Sequence, residues 1–339
     1  MKPTARLLAV GVASLFLWNP LSAQADDPLV IATASPSGVY HVVGRALCRV
    51  VETPCRAQPS NGSSANLRAL RSGEMKLAIV QSDLQHYATQ GIEGFRKDGP
   101  DEGLRSVFSL HSEPFTLVVR RDSGIQSFND LQQRSVNIGN PGSGQRGTML
   151  RLMDARGWSR SDFRLIHDLP VDQQSMELCH GNIDAMVYTV GHPNASVAQA
   201  IRLCNAAIVD VQGEFVDLLV NAYPYFTRAS IPGGLYGPDQ PAVRTFGVKA
   251  TLVATADTDP DLVYQLVASV FADFLRFKAT HPALGQLTAQ TMIRDGLSAP
   301  LHEGALRYYR EQGWIEAEGM VHERNEQRRL AARGATVLD

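Results

Sequence analysis

The chain has 339 residues, 44% of them apolar, with 32 Lys plus Arg against 34 Asp plus Glu. That composition supports a globular core, excludes a disordered chain, and on length allows two domains. The near-neutral balance gives no support for a nucleic-acid surface, so any positive field must be local.

The N-terminus reads as an export leader. Lys2 and Arg6 form a basic head, Leu7 to Trp18 a short apolar run, and Ala23-Gln24-Ala25 a small-x-small cleavage pattern. The run is short for a bilayer span, which makes a membrane anchor the lesser reading. Residues 1–25 are read as a signal peptide cleaved near Ala25, and the mature protein as periplasmic.

Cysteine usage agrees with export. The four cysteines are Cys48, Cys55, Cys179 and Cys204, an even count that fits disulfides. Three pairings are open. Cys48 with Cys55 is the short-range choice, tying a helix end to the next strand. Cys179 with Cys204 would do the same in the other half. Zinc is the rival, but no C-x-x-C pair occurs and only His180 adjoins a cysteine. No metal is expected.

In chain order, Leu29 to Thr33 is an apolar strand broken by Pro36-Ser37-Gly38. From Val39 to Val51 apolar residues recur at helical spacing, until Pro54. Arg56 to Gln58 is short and extended. Ser60 to Ser64 is a polar turn capping a helix from Ala65 to Arg71, and Leu77 to Val80 is a core strand. Gln81-Ser82-Asp83 then opens a helix running to about Gln90. Strand, polar turn and helix thus recur, which implies a parallel sheet with right-handed crossovers.

Gly91 to Gly103 reads as a surface loop, and Leu104 to Ser109 and Phe115 to Arg120 as two strands, the second leaving the first lobe. The same grammar restarts. Asp130 to Gln133 is a short helix, Val136 to Gly139 a strand, and Thr148, Met149 and Leu152 line a helix that Gly157 closes. Strands at Arg164 to His167, Asp184 to Val190 and Ala206 to Val211 alternate with helices at Asp172 to His180 and Glu214 to Ala222. Phe246 to Ala254 is a strand returning to the first lobe. Pro260 to Thr280 is one long amphipathic helix, with Phe274 and Leu275 on its inner face. Ala305 to Gln312 is helical, and Glu316 to Leu338 is charged and helix-prone.

The expected fold is therefore α/β and two-lobed. Lobe 1 takes residues 26–115 and 250–339, lobe 2 takes 116–249, and two crossing strands form the hinge. Open α/β sheets bind ligands beyond the carboxyl ends of their strands.

The central motif is Asn140-Pro141-Gly142-Ser143-Gly144-Gln145-Arg146. Glycine allows close backbone approach, and a helix starting there offers free N–H groups and its positive dipole end to an anion. This turn and Pro36 to Tyr40 are expected to face each other and hold a carboxylate. Ser143, Gly144, Gln145 and Arg146 would contact it, Arg146 as a bidentate donor. Ser37, Gly38, Val39 and Tyr40 form the facing turn. Asn66 sits near a helix start, Gln81, Ser82 and Asp83 at a strand end, and Tyr188 and His192 in the matching place of lobe 2. Each has a plainer reading: capping for Asn66 and Asp83, packing for Tyr40, a turn for His192, a surface ion pair for Arg146.

Gly142, Gly144 and Gly147 also match G-x-G-x-x-G, with Asp168 placed like a ribose-binding acid. A dinucleotide-binding oxidoreductase is thus the main alternative. No Lys/Asp or Tyr/Lys set accompanies it, no G-x-S-x-G elbow and no H-E-x-x-H helix occur, and a binding protein without a cofactor is favoured over an enzyme.

Several stretches together resemble the solute receptors of TAXI-type TRAP transporters. They are Ser35 to Tyr40, Ser63 to Glu74, Ala78 to Asp83, Gly139 to Gly144, Val190 to Asn194, Ile231 to Tyr236, Phe246 to Ala250 and Gly296 to His302. The resemblance implies a type II periplasmic-binding-protein-like fold. It implies a monomer that captures a small organic anion, glutamate-like or dicarboxylic, and delivers it to TRAP membrane permease subunits. A sensor subunit for a membrane receptor is a further alternative. By position, the family's ligand contacts fall on Ser37 to Tyr40, Asn66, Gln81 to Asp83 and Ser143 to Arg146. Gln145 departs from the family's usual threonine, and Ser37 from its usual glycine or threonine.

Overall fold

The computed structural model describes residues 28–315. The leader expected over residues 1–25 and the helix-prone stretch from Glu316 to Leu338 lie outside the described residues.

The first half follows the expected alternation. β1 (Leu29–Ala32) leads to α1 (Val39–Val50), β2 (Cys55–Gln58) to α2 (Ser63–Arg71), and β3 (Leu77–Gln81) to α3 (Ser82–Gln90). These strands pair in parallel in the order β2-β1-β3. Then comes β4 (Leu104–Arg120), and the alternation repeats. β5 (Ser135–Asn137) is followed by α4 (Gly144–Ala155), β6 (Leu165–His167) by α5 (Val171–Cys179), and β7 (Ala185–Thr189) by α6 (Ala195–Leu203). The matching order is β7-β5-β6, again parallel. β8 (Ala206–Val209), α7 (Glu214–Ala222) and β9 (Thr227–Ile231) precede β10 (Val243–Thr255). Helices α8 (Pro260–Ala272), α9 (Phe274–Ala279), α10 (Ala289–Met292) and α11 (Glu303–Glu311) complete the chain.

β4 and β10 join the halves. Residues 250–254 of β10 run antiparallel to β3, while residues 243–247 pair with β9. Residues 104–109 of β4 pair with β10, and residues 115–119 pair with β7. The expected parallel pairing is found within β2-β1-β3 and β7-β5-β6, while β8, β9 and the crossing strands β4 and β10 pair antiparallel. Two antiparallel crossing strands between two α/β lobes make the type II periplasmic-binding-protein-like fold.

Three further differences have local causes. Leu104 to Arg120 is one strand rather than two. Its polar middle, His111 to Pro114, looks unlike a strand in sequence, yet His111 and Glu113 are buried. The expected long helix breaks at Asp273, whose backbone is not helical. The next turn is rotated, so Phe277 is 1% exposed and Leu275, expected inside, is 80% exposed. Phe95, within the expected surface loop, is buried on a 3-10 turn at Glu93–Phe95.

Both disulfides are local. Cys48–Cys55 ties the end of α1 to the start of β2. Cys179–Cys204 joins the last residue of α5 to the residue capping α6, linking two helix ends rather than a helix and a strand. One apolar cluster runs from Leu67, Leu84 and Tyr87 to Met149, Leu152 and Phe246, so the two lobes share a buried seam. Among the described residues no helix is long and apolar enough to cross a membrane.

Candidate functional site

A cleft of about 260 Å³ lies between the lobes. Six helices begin at it, because each leaves the carboxyl end of a parallel strand on the same side. Gly38 to Tyr40 start α1, Gly62 and Ser63 start α2, and Gln81 precedes α3; Ser143 to Gln145 start α4, Pro170 to Asp172 start α5, and Asn194 caps α6. Each helix N-terminus carries roughly half a positive charge. Among the described residues, those lining the cleft include no lysine, arginine or histidine. Its positive field is therefore backbone in origin.

Some of these helix starts are already satisfied. The N–H groups of Ser64 and Ala65 donate to the Gly142 carbonyl across the seam, at 3.0 and 3.1 Å. Ser143 Oγ accepts from Arg146 N, and Asn194 Oδ1 from Val197 N. The N–H groups of Gly144 and Gln145, and of Val39 and Tyr40, have no acceptor among the described residues.

The glycine-rich turn is packed against lobe 1. A methyl added at Gly144 would overlap Gln81 Oε1 and lie 2.9 Å from Ser63 Oγ, and one at Gly147 would lie 2.8 Å from Leu84 Cδ1. Its glycines permit this interlobe contact. Asp168, the supposed ribose acid, pairs with Arg146. These contacts argue against dinucleotide binding.

Of the expected contact residues, Gly38, Val39, Tyr40, Gln81, Ser143, Gly144, Gln145 and Tyr188 line the cleft. Five others do not. Arg146 turns its guanidinium to Asp168 and the Gly139 carbonyl, so the ion-pair reading holds. Ser37 is exposed, its hydroxyl 3.0 Å from that of Ser35. Asn66 donates to the carbonyls of Thr33 (2.6 Å) and Ile79 (2.9 Å), bracing two strand ends rather than capping a helix. Ser82 accepts from Lys249 N at 3.1 Å, tying α3 to the crossing strand β10. Asp83 is fully buried and accepts from Thr148 Oγ1 (2.7 Å) and Leu84 N (2.9 Å). Burial pushes its carboxyl up to about 6 against these hydrogen bonds. His192 bonds Thr116 Oγ1 (2.9 Å) and the Tyr236 hydroxyl, and burial lowers it to about 4.

Gln81 has two duties. It lines the cleft, and its amide donates to Thr148 Oγ1 at 3.0 Å and Asp83 Oδ1 at 3.3 Å.

Glu113 is a cleft residue that sequence reasoning missed, as it missed Asp172 and Thr189. It lines the cleft at 2% exposure and accepts a 2.7 Å bond from the Tyr40 hydroxyl. Burial raises its carboxyl well above the ordinary range; the Tyr40 bond opposes this, and the charge of Asp83 adds to it. His111 Nε2 stands 3.8 Å from Oε1, but burial lowers His111 to about 3, so it is neutral and makes no ion pair. The signal was an acid between two apolar runs, Val107 to Leu110 and Phe115 to Val119. Three more lining atoms, Gln145 Nε2, the Tyr188 hydroxyl and Thr189 Oγ1, are buried with no hydrogen-bond partner among the described residues. Buried polar groups are seldom left unpaired, which makes these atoms candidates for ligand contact.

Comparison with known proteins gives one family match and a shared fold. The model of the NMT1-like family matches residues 31–313. MatC from Rhodopseudomonas palustris, solved with bound malate, is 16% identical over 76% of this chain and 88% of its own, with a TM-score of 0.52. A protein of Bordetella bronchiseptica RB50 is 13% identical over 84% of this chain and 98% of its own, also at 0.52. At such identities the two structures speak to the fold alone. The family match covers most of the sequence, and the chain belongs to the NMT1-like family.

Proposed function

We propose that this NMT1-like protein is an exported solute receptor that captures a small carboxylate between its lobes. The observation that carries this is the convergence of six helix N-termini on one cleft of about 260 Å³. Such a field stabilises a compact anion without a basic side chain. The free N–H groups of Gly144 and Gln145 and the unpaired Gln145 amide hold the carboxylate from lobe 2, and Gly38 to Tyr40 from lobe 1. The ligand bridges residues 26–115 and 250–339 on one side and 116–249 on the other, and so stabilises closure. No reaction follows; the closed protein, a periplasmic monomer cleaved near Ala25, delivers its ligand to a membrane permease. The TAXI-like stretches favour a TRAP permease as that partner.

The test is mass spectrometry of small molecules released from the purified protein, with thermal-shift screening against amino acids and dicarboxylates. A carboxylate hit weakened by Gln145→Ala is the expected result. Binding of NADH with no carboxylate hit would overturn the receptor reading.

A further inference from the structure

We propose that Glu113 receives an ammonium group, so that the receptor selects amino acids over plain dicarboxylates. This deepens the receptor reading above and rests on it.

The cleft carries groups of both signs. The positive ones are helix N-termini, with the free N–H groups of Gly144 and Gln145 beside the Gln145 amide. The negative ones are the buried carboxyl group of Glu113, fixed by Tyr40 through Oε2, and that of Asp172 in the first turn of α5. Among the described residues Glu113 Oε1 accepts no hydrogen bond. Thr189, whose Oγ1 is also unpaired, sits opposite Phe115 in the β4–β7 ladder, two residues beyond Glu113. An ammonium group donates three hydrogen bonds and accepts none. Glu113 Oε1 and Thr189 Oγ1 supply two acceptors.

A second carboxylate fits poorly beside Glu113. It would lie near Glu113 and near Asp83, which acts on Glu113 electrostatically, with no lysine or arginine lining the cleft to offset the charge. The nearby basic groups do not serve. His111 and His192 are held neutral by burial, burial also lowers His281, and Lys249 lies 3.9 Å from Asp295. A zwitterion carries opposite charges at its two ends and matches both.

Proton exchange separates the two ligand classes. With the cleft empty, burial favours the protonated form of Glu113. An arriving ammonium favours the ionised form, so binding releases a proton and tightens as pH rises. A dicarboxylate would need Glu113 protonated as a donor, so its binding takes up or keeps a proton and weakens as pH rises.

The experiment is calorimetry of the full mature protein with L-glutamate and L-glutamine, and with glutarate and succinate, in phosphate and in Tris. Each titration is repeated with Glu113→Gln. The expected result is at least tenfold tighter binding of an amino acid than of its counterpart lacking the amine, with proton release. Glu113→Gln then weakens the amino acid by roughly ten- to a hundredfold, the scale of one charged hydrogen bond, and spares the dicarboxylates. Dicarboxylates bound equally well or better, with proton uptake and no loss in Glu113→Gln, would overturn this inference and leave the receptor reading standing. Absence of binding by either class would remove both. Should the variant not fold, the proton count on the unmodified protein decides alone.

Discussion

Thr148 Oγ1 donates a 2.7 Å hydrogen bond to Asp83 Oδ2, and both residues are fully buried. Thr148 lies one turn into α4 and Asp83 is the second residue of α3, so the bond joins the lobes. Thr148→Val keeps the shape and removes the donor, leaving a buried carboxyl oxygen unpaired. The expected loss is about 1–3 kcal/mol in urea unfolding, with Thr148→Ser near the unmodified value. A larger radius of gyration by X-ray scattering should accompany it. Unchanged stability and shape would show that the bond does not hold the lobes together.

Burial raises Asp83 from 3.8 to about 6. The folded-state value lies above the unfolded one, so the folded protein binds this proton more tightly. The contribution is fully present below about pH 4 and is lost as pH rises to about 6, on the order of 3 kcal/mol. Asp83→Asn should therefore flatten the stability profile between pH 4 and 6. Denaturant melts at four pH values check this, and parallel profiles for the two proteins would contradict it.

Gly144 meets Gln81 and Ser63 across the same seam with no room for a side chain. In Gly144→Ala the clash exists only when the lobes are together, and opening relieves it. Ligand affinity should fall by more than about tenfold, since one methyl forced into a packed contact costs about 1–3 kcal/mol. The ligand-free protein should also melt earlier, because the seam held by Thr148 and Asp83 is the one this methyl forces apart. Calorimetry with whichever carboxylate gives a thermal shift measures the first, and a scanning melt the second.

The two disulfides close loops of different length, with sequence separations of 25 for Cys179–Cys204 and 7 for Cys48–Cys55. In the chain-entropy model these contribute about 3–4 and about 2–3 kcal/mol. The pair Cys179→Ser, Cys204→Ser should thus destabilise more than the pair Cys48→Ser, Cys55→Ser. Denaturant midpoints of the two double variants compare them directly, and the reverse order would count against an entropic origin.

The sequence by itself determined the elements and the position of the cleft. Apolar period and breaking turns mark Val39 to Val50, Leu77 to Val80 and the helix after Ser143, because those signals arise within a few residues. Once strand and helix alternate, the geometry of a parallel sheet brings the turns at Gly38, Gln81 and Ser143 to one side. Tertiary structure alone decided where the polar side chains went. Arg146 and Asp168 are 22 residues apart, and Asp83 and Thr148 65 apart. Arg146 meets Asp168 only when lobe 2 folds, and Asp83 meets Thr148 only when the lobes pack, so Arg146 left the cleft and Asp83 became a strut. Glu113 looked like a break between two strands because its burial depends on Tyr40, 73 residues away. Charge and hydrogen bonding at a site depend on distance in space, whereas the patterns that set helices and strands are written along the chain.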